Sequence, residues 1–225
     1  MKYLSDKLAL VLFSIVAAKK GYRFTKVRTE KEYNDANDLY NGQAFSFPEH
    51  LREDVQKYKA GTLNFVAYYK DIPVGMVRLA NPKVINRAYE HYGVDLEGAH
   101  HEIQSLVVKK EYRDGAQFVM LGLVKELYVY SVANSIHTWS GCGVKNVYLT
   151  MRRYCKKIEI IDVDFKSIDH PVTQYLHANN IVETYFTMEV DGFSPWQILK
   201  KCIKKLVKKW DIFQNIQFSL NLQYL

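Results

Sequence analysis

Residues 22–29, "YRFTKVRT", alternate in side-chain character with a period of two, the mark of a half-buried strand. A polar-faced helix follows in "EKEYNDANDLYNGQAF", ending near Asn41-Gly42, and a second helical stretch, "HLREDVQKYKAG", is stopped by Gly61. "LNFVAYYKDIPVGMVRLA" predicts a hairpin with strands at 63–69 and 74–80 and a turn at 70–73. "NPKVINRAYEHYGVDLEGAH" reads as an excursion with one short helix. A strand at 102–108 leads through a charged loop into a long helix over about 117–136. "GVKNVYLTM" predicts the next strand, "RRYCKKI" the start of another helix, and "IEIIDVDF" and "ETYFTMEV" two further apolar, β-rich segments. Strands alternating with helices predict an α/β fold around a mixed sheet. The hairpin strands should pair antiparallel, and the strands near residues 106 and 148 should run parallel, joined by a right-handed crossover.

The two ends carry different patterns. "LALVLFSIVAA", residues 8–18, lies between Lys7 and Lys19-Lys20. It is too short to cross a bilayer as a helix. It has the apolar character of a signal-peptide core but runs into two lysines, so the expectation is a helix lying on the core or on a membrane surface. At the other end, "SPWQILKKCIKKLVKKWDIFQ" is helically periodic. Lysines 200, 201, 204, 205, 208 and 209 occupy one face, and Ile198, Leu199, Cys202, Ile203, Leu206, Val207 and Trp210 the other. Ser194 and Pro195 suit the cap and first position. The expected organisation is an apolar helix over 1–21, a catalytic-sized domain over 22–193, and a basic amphipathic helix and tail over 194–225.

Composition narrows the class. The chain has 225 residues, 48% hydrophobic and 24% charged, which suits a globular protein with a substantial core and excludes general disorder. Its formal net charge of +7 favours an acidic partner: a carrier protein, an anionic membrane surface or nucleic acid. No nucleic-acid-binding motif is evident. Three scattered cysteines, Cys142, Cys155 and Cys202, form neither a disulfide framework nor a zinc pattern, as expected of a cytoplasmic protein. His100-His101 has no second cluster at a metal-binding spacing, so no metal site is expected. Gly-x-Ser-x-Gly elbows and phosphate-binding P-loops are absent from the sequence.

Candidate chemistry centres on "HEIQSLVVKKEYRDG", a strand tied to the long helix by a loop holding Arg113 and Gly115. A loop of this kind can direct backbone N–H groups at an anion. Together with "VGMVRLA" and "VYLTMRRYCKKIEI", this stretch resembles the acetyltransferase-type (GNAT) fold. More narrowly, it is similar to the branch containing the acyl-homoserine-lactone synthases and the N-acyl amino acid synthases. In that branch a strand beginning Glu-Ile-Ser-Arg continues into a Tyr-Arg loop. The likeness spans roughly residues 22–190 and rests on the order and spacing of the motifs. Two departures are visible. The loop Arg113-Asp114-Gly115-Ala116-Gln117 lacks the spacing of the general acyl-coenzyme A loop, and Glu102-Ile103-Gln104-Ser105 lacks the branch's arginine.

The resemblance implies a GNAT-like mixed central sheet with flanking helices and added terminal helices. It implies an N-acyltransferase that moves a long acyl chain from acyl carrier protein to the amine of an amino acid or related small molecule. The donor would arrive on phosphopantetheine, with no permanently bound cofactor. Glu102 would be the acid/base carboxylate, and Arg78 would orient the acceptor or that carboxylate. The backbone of Leu106, Val107 and Val108 would face the thioester, and Arg113, Gly115 and Ala116 would hold the pantetheine phosphate. Tyr112, Tyr148 and Tyr154 are candidate proton donors to the leaving thiolate, a choice among 17 tyrosines. For Arg78 a surface salt bridge is the competing reading, and for the loop a plain strand-to-helix turn. For the whole chain, the alternatives are a coenzyme A-dependent acetyltransferase of the same fold and a non-catalytic protein held at the inner membrane face.

Overall fold

The structure is a computed structural model, and it describes residues 2–43, 61–85, 93–94, 96, 100–113, 118–165, 167–200 and 203. Seven strands form one sheet in the order β1-β2-β3-β4-β5-β7-β6. They are β1 (Tyr22–Lys26), β2 (Thr62–Tyr69), β3 (Ile72–Ala80), β4 (His101–Val108), β5 (Thr138–Val144), β6 (Ile158–Ile161) and β7 (Glu183–Glu189). Among the described residues, besides a helical stretch at 195–200, they are accompanied by α1 (Lys2–Lys19), α2 (Glu30–Gln43), α3 (Phe118–Ala133), α4 (Lys145–Met151) and α5 (Pro171–Ala178). The sheet is mixed and the class α/β, as the alternation of patterns predicts. All pairings are antiparallel except β4 with β5, which α3 connects.

Each strand has one face toward each of two layers. Phe65, Val74, Val77 and Leu79 point to the face covered by α1 and α3, where they join Phe13, Leu121, Leu123 and Leu127 in the main core. Val66, Tyr68, Met76 and Val107 point the other way and pack under Ala36, Leu39 and Tyr40 of α2. Farther along that second face, Tyr185 is covered by Val163, Phe165 and Ile168. The helix α1 buries Ala9, Phe13 and Ala17. Leu8, Val11, Leu12 and Ile15 remain on its outer side, so both of its faces are apolar. No helix among the described residues is long and apolar enough to cross a membrane.

Several expectations need correction. The hairpin turn is tighter than 70–73: Lys70 and Asp71 both take positive φ, and Ile72 and Pro73 already belong to β3. Two left-handed residues match the twist of the flanking strands, which a wider loop need not. "GVKNVYLTM" is not a strand. Strand β5 comes earlier, in "TWSGCGV", and 145–151 is α4. The parallel partner of β4 is therefore 138–144, not a strand near residue 148. The apolar Val147, Tyr148 and Met151 fit both periods over so short a run. Packing decides between them by sinking Tyr148 and Met151 into the core as one helical stripe. The two glycines of β5 are where other side chains press on the strand, with Phe186 over Gly141 and Val147 over Gly143. Consequently "RRYCKKI" forms a turn and an isolated bridge from Cys155 to Phe193 rather than a helix, and "VYLTMRRYCKKIEI" runs helix-turn-strand. The helix α5 was not anticipated, although Pro171 stands at its start.

Near the C-terminus residues 195–200 are helical, with Ile198 and Leu199 buried and the Trp196 indole N–H donating to Ser5 Oγ. Apart from Ile203, which is exposed, the basic and apolar faces expected beyond Lys200 lie outside the described residues. So does the helix expected at 50–61, apart from Gly61.

Candidate active site

The single parallel junction fixes the site. Strands β4 and β5 pair only at His101 with Trp139, Glu102 with Ser140 and Ile103 with Gly141. Beyond Ile103, β4 continues to Val108 and β5 to Val144 without pairing, so the sheet opens along residues 104–108. Strand β4 also carries an irregularity. Met76 faces Val107 and Arg78 faces Gln104, so Ser105 and Leu106 together oppose the single Val77, one extra residue on β4, and Ser105 takes a φ of +51°. The bulge lies in the opening and re-aims the backbone there. Leu106, Val107 and Val108, picked out from the sequence, lie along the stretch with no β5 partner, while Val107 and Val108 stay paired with Met76 and Gly75 of β3.

Strand alternation sets the side chains. Glu102 and Gln104 are two apart on β4 and project to the α2 face. Arg78 stands opposite Gln104 on β3, and Asn64 opposite Arg78 on β2. Ser140 stands beside Glu102 on β5. All five are buried, with Arg78 only 2%, Gln104 3% and Glu102 6% exposed. Arg78 is therefore a buried cation and not a surface one. Its Nε donates to Asn64 Oδ1 at 3.2 Å, and its Nη2 reaches Asn37 Oδ1 of α2 at 3.4 Å. The guanidinium lies over the Tyr40 ring, 4.5 Å from its centre. Gln104 Nε2 donates to Glu102 Oε2 at 2.9 Å. Beside them, burial holds the His101 imidazole below its ordinary pKa, favouring the neutral ring.

The arrangement couples a shielded carboxylate to an amide and sets a fixed cation on the neighbouring strand. A carboxylate so placed can take a proton, and a backbone bulge in an opened sheet can offer N–H groups to a developing oxyanion.

The other sequence candidates sit elsewhere. Arg113 is exposed just past β4, and its Nε donates to the Val108 carbonyl at 2.7 Å. Gly115 and Ala116 lie outside the described residues. Tyr148 and Tyr154 are buried in the main core, Tyr148 against Phe186, and Tyr112 packs on Tyr69. No cluster of three or more His, Cys, Asp or Glu side chains is present among the described residues.

Sequence reasoning picked out Glu102 and Arg78 but missed Asn37, Tyr40, Asn64, Gln104 and Ser140. Two of these carried a signal. Asn64 interrupts the apolar run "LNFVAYY", and Gln104 repeats the polar position of Glu102 at the strand period. Asn37 and Tyr40 become visible only when α2 is laid on the sheet.

No protein-family model matches the chain, and no curated protein matches its sequence. Solved structures do match. FeeM, an N-acyl amino acid synthase from uncultured soil microbes, aligns at a TM-score of 0.55 and 10% identity over 76% of this chain and 91% of its own. The AHL synthase LasI aligns at 0.53 and 10% over 75% and 89%. An acetyltransferase from Streptococcus agalactiae 2603 aligns at 0.51 and 10% over 76% and 99%. The fold of this chain is the GNAT acetyltransferase fold, and an N-acyl amino acid synthase and an AHL synthase are among its structural neighbours.

Proposed function

We propose that the protein is an N-acyltransferase. It moves an acyl group from a phosphopantetheine thioester, carried on acyl carrier protein, to the amine of an amino acid or related small molecule. The observation that carries this reading is the buried Glu102–Gln104 pair and neighbouring Arg78, set where β4 and β5 part. The fold shared with FeeM and LasI agrees with it.

The chemistry follows from what each group can do. The acceptor arrives as an ammonium ion and must lose a proton before its nitrogen can attack. Glu102 takes that proton directly or through a water. The new C–N bond forms as the thioester carbonyl oxygen becomes an oxyanion facing the β4 backbone at Leu106, Val107 and Val108. The C–S bond then breaks and the thiolate leaves, taking up a proton. In total, thioester and ammonium give amide, thiol and one proton. Arg78 suits an acceptor carboxylate because its planar fork can bind two oxygens.

The topology also supports one entrance for the donor. Parallel strands end at the same sheet edge, so Lys109, Lys110 and Arg113 after β4 lie on the same side of the opening as Lys145 after β5. Exposed Glu111 is the one acid among the four residues following Lys109. This edge suits an acidic carrier and its phosphate-bearing arm.

The test supplies purified protein with acyl carrier protein or coenzyme A thioesters of several lengths and a mixture of amino acids, and reads N-acyl products by mass spectrometry. An amide product should appear, and Glu102→Ala should lower its rate about 100-fold, the ordinary worth of a positioned general base. Folded wild-type protein that forms no amide from either donor would exclude the reading. The donor that works distinguishes carrier protein from coenzyme A.

A further inference from the structure

We propose that the outer face of α1 docks on an anionic lipid bilayer, lying in its interface without crossing it. The proposal concerns a surface of the fold and does not depend on the reaction proposed above. Helix α1 turns Ala9, Phe13 and Ala17 inward and buries them. On the side opposite these stand Leu8, Val11, Leu12 and Ile15, spaced i, i+3, i+4 and i+7, so they form one stripe along the helix. They are between 36% and 52% exposed, which leaves large aliphatic side chains in water over about two helical turns.

Two neighbouring helical segments extend the patch. Lys125 of α3 donates to Ser14 Oγ at 3.3 Å and the Tyr128 hydroxyl to Asp6 Oδ2 at 3.5 Å, so α3 lies alongside α1. Val129 and Val132, four and seven residues after Lys125, continue that side of α3 and are exposed. At the start of α1 the Trp196 indole N–H donates to Ser5 Oγ, and Trp196 is exposed as well. An apolar patch drawn from three helical segments marks a contact surface for a membrane or for a protein.

Charge decides between the two. Lys19 stands four residues beyond Ile15, at the end of the stripe, and Lys7 flanks its start; both are exposed. The only acid in α1 is Asp6, which faces Tyr128 on the buried side. Lys200 is exposed four residues after Trp196, and the sequence goes on with Lys201, Lys204 and Lys205. Two copies laid together through α1 would bring lysines against lysines, and α1 has no exposed carboxylate to pair with them. Lipid phosphates supply the missing negative charge, and the acyl region beneath them takes the aliphatic stripe. Trp196 suits the headgroup level, which indoles favour. The apolar run at residues 8–18 is too short to span a bilayer, so the helix lies along it. Helix α2 and the candidate site are on the other face of the sheet and stay open to donor and acceptor.

The experiment sediments the full chain with vesicles of phosphatidylcholine alone and of phosphatidylcholine mixed with phosphatidylglycerol. Wild type should bind the anionic vesicles about tenfold or more tightly than the neutral ones, through its lysines. Val11→Gln with Ile15→Gln should weaken binding to the anionic vesicles about tenfold or more, by removing the part of the stripe that enters the lipid. Lys7→Gln with Lys19→Gln should weaken the same binding several-fold at low salt. Thermal melts establish folding, and the lysine pair decides the matter if the aliphatic pair does not fold. Wild type that binds neither vesicle, or binding that either folded pair leaves undiminished, would overturn the proposal. So would a wild-type dimer, measured by light scattering without lipid, that Val11→Gln with Ile15→Gln splits into monomers, because a second copy would then own this face. None of these outcomes bears on N-acyl transfer, which the amide product tests separately.

Discussion

At the scale of single residues, close approaches decide which side chains the chain can carry. Gly122 faces β1 from the middle of α3, and a Cβ there would sit 2.1 Å from the Phe24 ring. That ring has little room to retreat, because Phe13, Tyr22 and Phe118 surround it at centre-to-centre distances of 6.0, 6.3 and 6.3 Å. In an exposed helix, glycine to alanine would gain up to about 1 kcal/mol of helix propensity. Here overpacking costs about 1–3 kcal/mol and opposes it. Gly122→Ala should therefore lower stability by about 1 kcal/mol or more, read as an earlier denaturant midpoint at unchanged m-value. A midpoint that moves up would mean that α3 and β1 separate more easily than their packing indicates. The candidate site was partly legible at this scale. Glu102 and Arg78 stood out through "HEIQSLVV" and "VGMVRLA", the motifs whose resemblance to the acyltransferase branch marks those positions. Asn37 and Tyr40 did not, because they reach the site from a helix about 25 residues away in the chain from the nearest site strand, a distance that local patterns do not span.

Elements that carry both a period and an end signal were the readable ones. The start of α2 shows why. Glu32 N–H donates to Thr29 Oγ1 at 3.2 Å, while Glu32 Oε2 accepts from the backbone N–H of Thr29 at 3.3 Å and of Arg28 at 2.8 Å. This is a reciprocal cap written in the sequence as Thr-x-x-Glu. The Arg28 N–H is the largest influence on the carboxyl, and with Thr29 and Arg23 it outweighs burial and holds Glu32 below its ordinary pKa of 4.5. The folded value lies below the unfolded one, so the bond stabilises the protein above pH 4.5 and the benefit fades as acid titrates through the folded value. Glu32→Ala should cost about 1 kcal/mol at neutral pH, the usual worth of a cap, and the gap to wild type should narrow toward pH 3. Chemical denaturation of both proteins across that range measures it. A gap independent of pH would show that packing, and not the charged cap, ties α2 down. By contrast, the β5–α4 stretch was misread because seven residues hold barely two helical turns or one strand, and only the core they meet chooses between them.

Across the whole molecule, the alternation of strands and helices was legible in advance, α5 and the bounds of β5 and α4 excepted, but the place where the sheet parts was not. Strand pairing over three residues followed by none is a property of β4 and β5 together, and neither sequence announces it. What the sequence does state at this scale is charge. A net +7, with Lys109, Lys110, Arg113 and Lys145 at the edge where both strands end, would make association with an acidic carrier, the proposed donor, dependent on salt. The screening length is about 10 Å at 0.1 M salt and about 3 Å at 1 M, so steering over the carrier's surface weakens steeply across that range. An acyl group presented on a short pantetheine arm without the carrier has only local contacts to lose. Raising salt from low to about 0.5 M should therefore reduce kcat/KM for the carrier-bound donor several-fold, through its KM, and change the pantetheine donor much less. Replacing Lys109 and Lys110 with glutamine should flatten the salt dependence of the carrier donor. Equal salt effects on both donors would mean that the charge serves the bound phosphate alone, and that the carrier makes no electrostatic contact of its own.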